Sequence, residues 1–410
     1  MMIHLHTFPN GLTLLGEEME HFNSVAFSFR VPAGSVYDPV GKYGLSSFLC
    51  EMMLRGAGEY KNREFLERID RLGIDRSESV SSYFITFSGA MLKENFPEAL
   101  CLYTDILRRP HLPKEMLESS RMVLMRDVAS EKDVPSVQLI QEMKERFYGE
   151  TLGHDSDGRE KDLEAITWDD IKNYYDRLVR PDGMILSVVG NFSWENLKEK
   201  IGDLFGNWSR KDVKVPEISE NSRMEYFHMN YPSEQVHLGL MWETVPFSHP
   251  DRLRAWMGVS VLSEGMSSRL FTEVREARGL CYTMDTSFHS LNNRGSVFCY
   301  AATNTGSGQQ TLDVISEEIK KLKNGISQEE LNVLKAQYKS SLVMQQESCS
   351  AWCAGMASDF YRLGRVRTKE EIQKSVDDLT LDEINEYLAE HPPEKILCGT
   401  LGPEEVCFHQ

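Results

Sequence analysis

Gly44-Leu-Ser-Ser-Phe-Leu-Cys-Glu-Met-Met-Leu-Arg-Gly56 is the stretch on which the interpretation of the whole chain depends. Its apolar residues lie nearly all round a helix, which predicts a buried helix packed on several sides. These residues are Leu45, Phe48, Leu49, Met52, Met53 and Leu54. The polar residues Ser47, Cys50 and Glu51 fall at positions i, i+3 and i+4 and therefore share one face. Three polar side chains on one face of a buried helix indicate a former or present chemical site.

The composition describes an ordinary water-soluble chain of 410 residues, 41% hydrophobic and 26% charged. This length favours two domains. No run of eighteen apolar residues and no export signal is present, so we expect a cytoplasmic protein that does not enter a membrane. The net charge of −18 argues against nucleic acid as a partner and is compatible with basic peptides. The eight cysteines form no C-x-x-C pair and are expected to be reduced thiols of the core.

Hydrophobic periodicity predicts an alternation of strands and helices along the first half of the chain. Strands are predicted at 25–31, 76–92 and 184–190, and helices at 44–56, 61–72, 95–107, 113–130 and 167–178.

The second half of the chain repeats the first. Ile166-Thr-Trp-Asp-Asp-Ile171 matches Leu379-Thr-Leu-Asp-Glu-Ile384 at an offset of 213 (379 minus 166). Val25 and Val236, and likewise Ala99-Leu100 and Thr311-Leu312, agree with this offset within two residues. The repeat predicts a duplicated α+β protein in which each half has an antiparallel-rich sheet covered by helices on one face.

The polar stretch from Lys211 to Arg223 is the predicted join between the halves. We therefore expect an N-terminal domain at 1–215, which contains the polar-faced helix, and a homologous C-terminal domain at 224–410.

The frame G-L-x-x-F-L-x-x-M-x-x-x-G resembles the metal-binding helix of the insulinase/pitrilysin metallopeptidases, the inverzincins, and in particular their mitochondrial-processing-peptidase-like bacterial branch. The A-G-S at 33–35, the V-V-G at 188–190 and the run Leu262-Ser-Glu-Gly-Met-Ser-Ser-Arg-Leu-Phe271 extend the likeness over nearly the full chain. The resemblance implies two α/β-sandwich halves that face each other like a clam. Two such chains, or one fused double chain, would enclose a chamber for peptides.

In the resembled family, the slots of Ser47, Cys50 and Glu51 read H-x-x-E-H, which supplies two zinc ligands and the base that activates water. The third ligand is a glutamate in a setting like R-x-V-x-x-x-E, which Asp127 matches with a shorter side chain. We therefore expect degenerate zinc and base positions at Ser47, Cys50, Glu51 and Asp127, and no metal in this chain. The two carboxylates either hold a harder cation weakly or form a buried pair that is bound to neighbours or protonated. Cys50 is disfavoured as a nucleophile because its neighbourhood is apolar.

The string Arg275-Glu-Ala-Arg-Gly-Leu-Cys-Tyr282 is intact by comparison. In the family, an arginine and a tyrosine at this spacing reach toward the zinc from the second domain. A phenol can donate to a developing oxyanion, and a guanidinium can hold a peptide carbonyl. The alternative is an arginine and a tyrosine that serve packing alone.

The resemblance implies three possible functions. The leading hypothesis is the zinc-free subunit of a heterodimeric metalloendopeptidase, inactive alone, which lends Arg275 and Tyr282 to a zinc-bearing homologous partner that cleaves unfolded or extended peptides. The second is a peptide-binding or assembly protein without catalysis. The third is an autonomous peptidase of altered chemistry.

Overall fold

The computed structural model describes residues 2–209, 213, 216, 225–291 and 293–408. The strands are β1 (Ile3–Thr7), β2 (Thr13–Glu18), β3 (Ser24–Val31), β4 (Gly56–Ala57), β5 (Tyr60–Lys61), β6 (Asp75–Val80), β7 (Ile85–Leu92), β8 (Ile185–Gly190), β9 (Phe227–Asn230), β10 (Gln235–Thr244), β11 (Cys281–Leu291), β12 (Arg294–Asn304) and β13 (Leu397–Gly402).

The helices are α1 (Leu45–Met53), α2 (Asn62–Arg71), α3 (Phe96–Arg108), α4 (Leu117–Lys132), α5 (Pro135–Tyr148), α6 (Glu150–Gly153), α7 (Glu160–Ala165), α8 (Trp168–Leu178), α9 (Trp194–Phe205), α10 (Arg252–Ser260), α11 (Gly308–Lys321), α12 (Gln328–Gln346), α13 (Cys349–Leu363), α14 (Lys369–Asp378) and α15 (Leu381–Glu390). None of the helices in the described part of the chain combines the length and the apolar character needed to cross a lipid bilayer.

The two main sheets share the order of five strands, and the first sheet has β1 as an additional edge strand. One sheet runs β1-β2-β8-β3-β7-β6, and the other, read from its opposite end, runs β9-β13-β10-β12-β11. Strand β2 is parallel to β8, and β9 is parallel to β13. The neighbouring pairs from β8 to β6, and from β13 to β11, are all antiparallel. The predicted duplication is therefore confirmed at the level of topology.

The register of the strands is duplicated as well. Ala26 pairs with Val189 in one sheet, and His237 pairs with Leu401 in the other. The repeated helix starts also agree in detail. The hydroxyls of Thr167 and Thr380 both accept the backbone N–H three residues later, and in each case an acidic side chain at that position returns the bond to the threonine N–H.

The compact units of the structure are not contiguous stretches of sequence. The first unit contains Met1–Glu131, His154–Ile218 and Met344–Arg367. The second contains Lys132–Gly153, Ser219–Val343 and Thr368–Gln410. Each unit thus takes a segment from the other half of the chain, with α13 in the first unit and α5 and the short α6 in the second. The predicted domains at 1–215 and 224–410 did not include this exchange, and most of the predicted join at 211–223 lies outside the described residues.

In the second unit, α5 packs on the sheet at two glycines. A Cβ atom at Gly239 would lie 2.2 Å from the Sδ atom of Met143, and one at Gly399 would lie 3.1 Å from a methyl group of Leu139. The alternate residues of β10, such as Leu238, belong to the apolar core on the opposite face. The expectation that helices cover only one face of each sheet was therefore wrong for this unit. The exchanged helix covers part of the other face.

The first unit has an equivalent arrangement around α13. The Sγ atom of Cys353 lies 3.1 Å from the carbonyl oxygen of Ser187. Ser187 occupies the position in its sheet that Gly399 occupies in the other sheet. Beside Cys353, the indole N–H of Trp352 donates to the buried carboxylate of Glu17. Small residues at the centre of both sheets permit the close approach of the exchanged helices.

Candidate functional site

The polar-faced helix α1 is anchored at its N-terminus by a buried carboxylate. It starts after Gly44, whose φ of 93° is one that side chains other than glycine rarely adopt. The Oδ2 atom of Asp38 accepts the N–H of Gly44 and its Oδ1 atom accepts the N–H of Ser46, both at 3.0 Å. Burial raises the pKa of Asp38 to about 7 in spite of these bonds. Asp38 thus satisfies free N–H groups of the helix start from outside the helix.

The side chain of Ser47, at the first ligand slot, is hydrogen-bonded within the chain. Its Oγ atom lies 2.8 Å from the carbonyl oxygen of Ser156 and 3.1 Å from Oδ1 of Asp157. Burial raises the pKa of Asp157, and the charge of Asp155 raises it further. The hydroxyl is the donor in a hydrogen bond to a carboxylate, so the serine fixes the loop after α6 against α1.

Cys50, at the base slot, is 7% exposed. Burial raises the pKa of its thiol well above the ordinary value, and the nearby carboxylates Glu78, Glu51 and Asp157 add to this effect. A thiolate is therefore strongly disfavoured, and with it nucleophilic or general-base chemistry at this position.

Glu51, at the second ligand slot, forms a salt bridge with Arg55 one helical turn later. The Nε atom of Arg55 also donates to Oγ of Ser120 in α4, at 3.2 Å. The charge of the Glu51 carboxylate is thereby neutralised by the protein itself. Arg55 connects α1 to α4, the helix that also carries Asp127.

Asp127 is exposed on α4, so the expectation of a buried pair formed by Glu51 and Asp127 was wrong. A different acidic group exists nearby. Within the described residues, Glu131, Asp155 and Asp157 present oxygen atoms that all lie within 4.8 Å of one another. The sequence analysis did not find this group, because Asp155 and Asp157 come more than a hundred residues after α1 and belong to no ligand pattern.

These side chains do not suit a zinc ion. Tetrahedral zinc sites are built from imidazole nitrogens and thiolates, with carboxylates in a minority. Here the first slot is a hydroxyl that donates to a carboxylate, the second slot is paired with an arginine, and Asp127 is turned to solvent. We therefore derive no catalytic step at this helix.

Arg275 and Tyr282 lie together in the second unit. The guanidinium carbon of Arg275 is 4.4 Å from the ring centre of Tyr282 and 4.9 Å from that of Phe271. Its Nη1 atom donates to the carbonyl oxygen of Tyr282 at 3.3 Å. Tyr282 is 80% exposed. The arginine is thus held between two rings, and the phenol points to solvent.

Two backbone irregularities produce this geometry. Phe271–Glu276 is a π-helical turn, closed by a bond from the N–H of Ala277 to the carbonyl of Thr272. The ladder between β11 and β12 shifts register between Cys281 and Thr283, so Tyr282 is the extra residue of a β-bulge. Such turns and bulges frequently re-aim side chains at functional sites.

The fold and the two sites define a duplicated α+β protein of the kind found among metallopeptidases, with an altered metal helix. The model of the insulinase family (peptidase family M16) matches residues 16–155, and that of the peptidase M16 inactive domain matches 165–338. The chain belongs to the insulinase family.

Several relatives match the chain nearly end to end. It is 26% identical to the uncharacterized zinc protease YmxG of Bacillus subtilis over 94% of each chain. It is 24% identical to the mitochondrial-processing peptidase subunit beta of Saccharomyces cerevisiae, over 92% of this chain and 86% of that one.

Solved structures share the fold. A peptidase M16 inactive domain from Pseudomonas fluorescens superposes with a TM-score of 0.88 at 21% identity and covers 99% of both chains. A protease from Helicobacter pylori superposes with a TM-score of 0.89 at 19% identity, with 98% of both chains covered.

Proposed function

We propose that this chain is the zinc-free subunit of a two-subunit peptidase and supplies Arg275 and Tyr282 to a zinc site in its partner. The single observation that carries the proposal is the contrast between the two sites. The polar groups of α1 are engaged within the chain, whereas the phenol of Tyr282 is 80% exposed beside a held guanidinium. An intact arginine–tyrosine pair in one unit and an altered metal helix in the other fit a division of labour between two chains. The relative named as a peptidase subunit supports the proposal by its name alone.

In this proposal the chain has no zinc and no peptidase activity alone. The zinc of the partner would polarise the scissile carbonyl and activate water. The phenol of Tyr282 would donate to the oxyanion that develops, and Arg275 would hold the phenol through ring contact and donate its remaining N–H groups to a backbone carbonyl of the peptide.

The substrate class would be an extended peptide. The strand β6 pairs only with β7 among the described strands, so its outer edge offers backbone groups to a further strand. Peptides that add to a sheet edge gain main-chain hydrogen bonds, so recognition would depend on extended shape and modestly on sequence. The net charge of −18 would attract basic segments.

The test is cleavage of an unfolded peptide by this chain mixed with a zinc-bearing relative from the same organism. Tyr282→Phe is expected to lower kcat by roughly a hundredfold to a thousandfold, the usual effect of removing one oxyanion donor. Arg275→Ala is expected to lower kcat/KM, because it removes both the support of the phenol and a donor to the peptide carbonyl. Arg63→Ala and Tyr231→Phe serve as controls, since Arg63 is a 91% exposed arginine of the first unit and Tyr231 lies outside the pair, and both should leave kcat unchanged.

Two results would contradict the proposal. If a stable complex cleaves equally well with both variants, the pair serves packing alone and the chain contributes no chemical group to the cleavage. If no complex forms with any zinc-bearing relative, the alternative of a non-catalytic peptide-binding or assembly protein replaces it.

A further inference from the structure

Positive charge is concentrated in the first unit where β3 ends beside the C-terminal half of α13. Arg30 is the penultimate residue of β3, Arg362 is in the last turn of α13, and Arg367 follows that helix. The acidic side chain identified among them is Asp359. This local excess of positive charge is unusual in a chain whose net charge is −18.

Asp359 is already used by Arg367. The Nε and Nη2 atoms of Arg367 donate to the two carboxylate oxygens at 2.9 and 2.8 Å, and its backbone N–H donates to Oδ2 at 3.2 Å. Such a two-point bond matches the guanidinium fork to one carboxylate and leaves little capacity for a bond to Arg30.

Arg30 therefore lacks an acidic partner. Its side chain is half-buried, its Nη2 atom donates to the carbonyl oxygen of Ala354 at 3.0 Å, and it forms no salt bridge in the described part of the chain. Burial lowers the pKa of Arg30, and the charge of Arg362 lowers it further. A guanidinium has five N–H donors, and one carbonyl uses only one of them. A half-buried cation beside a second cation is stabilised by an anion.

An aromatic wall adjoins the charged residues. The ring of Phe84 meets the ring of Tyr361 edge to face at 4.5 Å, and the ring of Tyr83 lies 6.0 Å from that of Tyr361. Tyr361 precedes Arg362 on α13. The neighbourhood thus combines guanidinium donors with an apolar surface, which suits an anion attached to an apolar group better than a bare ion.

We propose that Arg30 and Arg362 bind the C-terminal carboxylate of an extended peptide whose last side chain packs on Tyr83 and Tyr361. The buried ring of Phe84 supports Tyr361 from within the protein. The proposal rests on the proposed function in that it takes peptides as the ligand class. A planar carboxylate fits the arginine fork, and a terminal apolar residue fits the ring surface. The site would select peptides by their end, in addition to the selection for extended shape at a sheet edge.

The test uses the full chain alone, without any zinc-bearing partner. The probes are a ten-residue alanine–serine peptide ending in phenylalanine, prepared as the free acid and as the C-terminal amide, and inorganic phosphate. We expect the free acid to bind roughly tenfold to a hundredfold more tightly than the amide, as measured by calorimetry, because the bond to the carboxylate is charge-assisted.

Arg30→Gln should abolish the preference for the acid, and Arg30→Lys, which keeps the charge, should retain part of it. Arg63→Gln is the matched control, since Arg63 is a 91% exposed arginine on α2 of the same unit, and should keep the full preference. The melting temperature of each variant shows whether the fold is intact.

The proposal is overturned if acid and amide bind equally, if Arg30→Gln keeps the preference, or if phosphate binds as tightly as the free acid. No cleavage is measured in these experiments. A failure of trans cleavage with Arg275 and Tyr282 variants would therefore leave this site standing, and loss of the acid preference would leave the proposed catalytic pair untouched.

Discussion

The two units share a strand order and a register, yet they treat their polar side chains differently. On α1 of the first unit, Ser47 donates to Asp157 and Glu51 is paired with Arg55. In the second unit, Tyr282 is held by Arg275 and is 80% exposed. The duplicated scaffold has therefore persisted in both units, whereas the polar side chains of α1 are bonded within the chain and the phenol of Tyr282 is exposed to solvent.

The largest effect expected from this contrast concerns metal binding. A good structural zinc site contributes ~10–16 kcal/mol, and a helix whose ligand slots are occupied by Asp157 and Arg55 should forfeit most of it. Metal analysis of the dialysed chain is expected to find far less than one zinc per chain. One tightly held zinc, released by Glu51→Gln or Asp127→Asn, would show that the first unit has kept its site.

The equivalent glycines Gly190 and Gly402 differ in how closely the neighbouring backbone approaches them. A Cβ atom at Gly190 would lie 2.3 Å from the carbonyl oxygen of Ser24, whereas one at Gly402 would lie 2.9 Å from that of Gln235. Both residues have positive φ, 132° and 155°. Gly190→Ala is expected to lower the free energy of unfolding by about 3 kcal/mol or more, and Gly402→Ala by about 1–2 kcal/mol.

Denaturant unfolding of both variants measures this difference. Gly73→Ala is the control for the backbone effect alone, since Gly73 has a φ of 59° and no atom within 4 Å of its Cβ position. Equal losses at Gly190 and Gly402 would mean that the two sheets relax equally and that the closer contact in the first unit carries no extra strain.

The smallest expected effect is an equal loss of unfolding free energy at two equivalent helix caps. Thr167 and Thr380 cap α8 and α15 with the same reciprocal bonds. Thr167→Ala and Thr380→Ala should each cost about 1 kcal/mol of unfolding free energy. Hydrogen exchange of the first turns of α8 and α15 localises each loss. A large loss at one cap and none at the other would break the equivalence of the two units.

Much of the fold could be predicted because the relevant signals are local. Alternating apolar residues located β3, and the repeat from Ile166 to Ile171 at 379–384 pointed to two sheets of one topology. The helix predicted at 44–56 ends earlier, at Met53, because the chain turns into the short strand β4 at Gly56, where φ is 118°.

The features that could not be predicted depend on partners distant in sequence. Nothing in the apolar pattern of α5 or α13 states which of two similar sheets the helix covers, since both sheets offer small residues at the same place. The partner of Ser47 comes from a loop 110 residues later, and the surroundings of Arg30 come from a helix more than 320 residues later. The spacing within α1 indicated which chemical groups had been replaced, but not which groups of the chain the replacing side chains would bond.

The exchange of α5 and α13 determines when each unit can be completed during synthesis of the chain. A ribosome releases the strands of the first sheet by Gly190, but the helix that completes this unit ends only at Leu363. While residues 191 to 363 are being made, the surface around Ser187 lacks the helix that covers it, whereas α5 is already present before the sheet on which it packs has been made. We therefore expect that neither half of the chain, expressed alone, completes its compact unit.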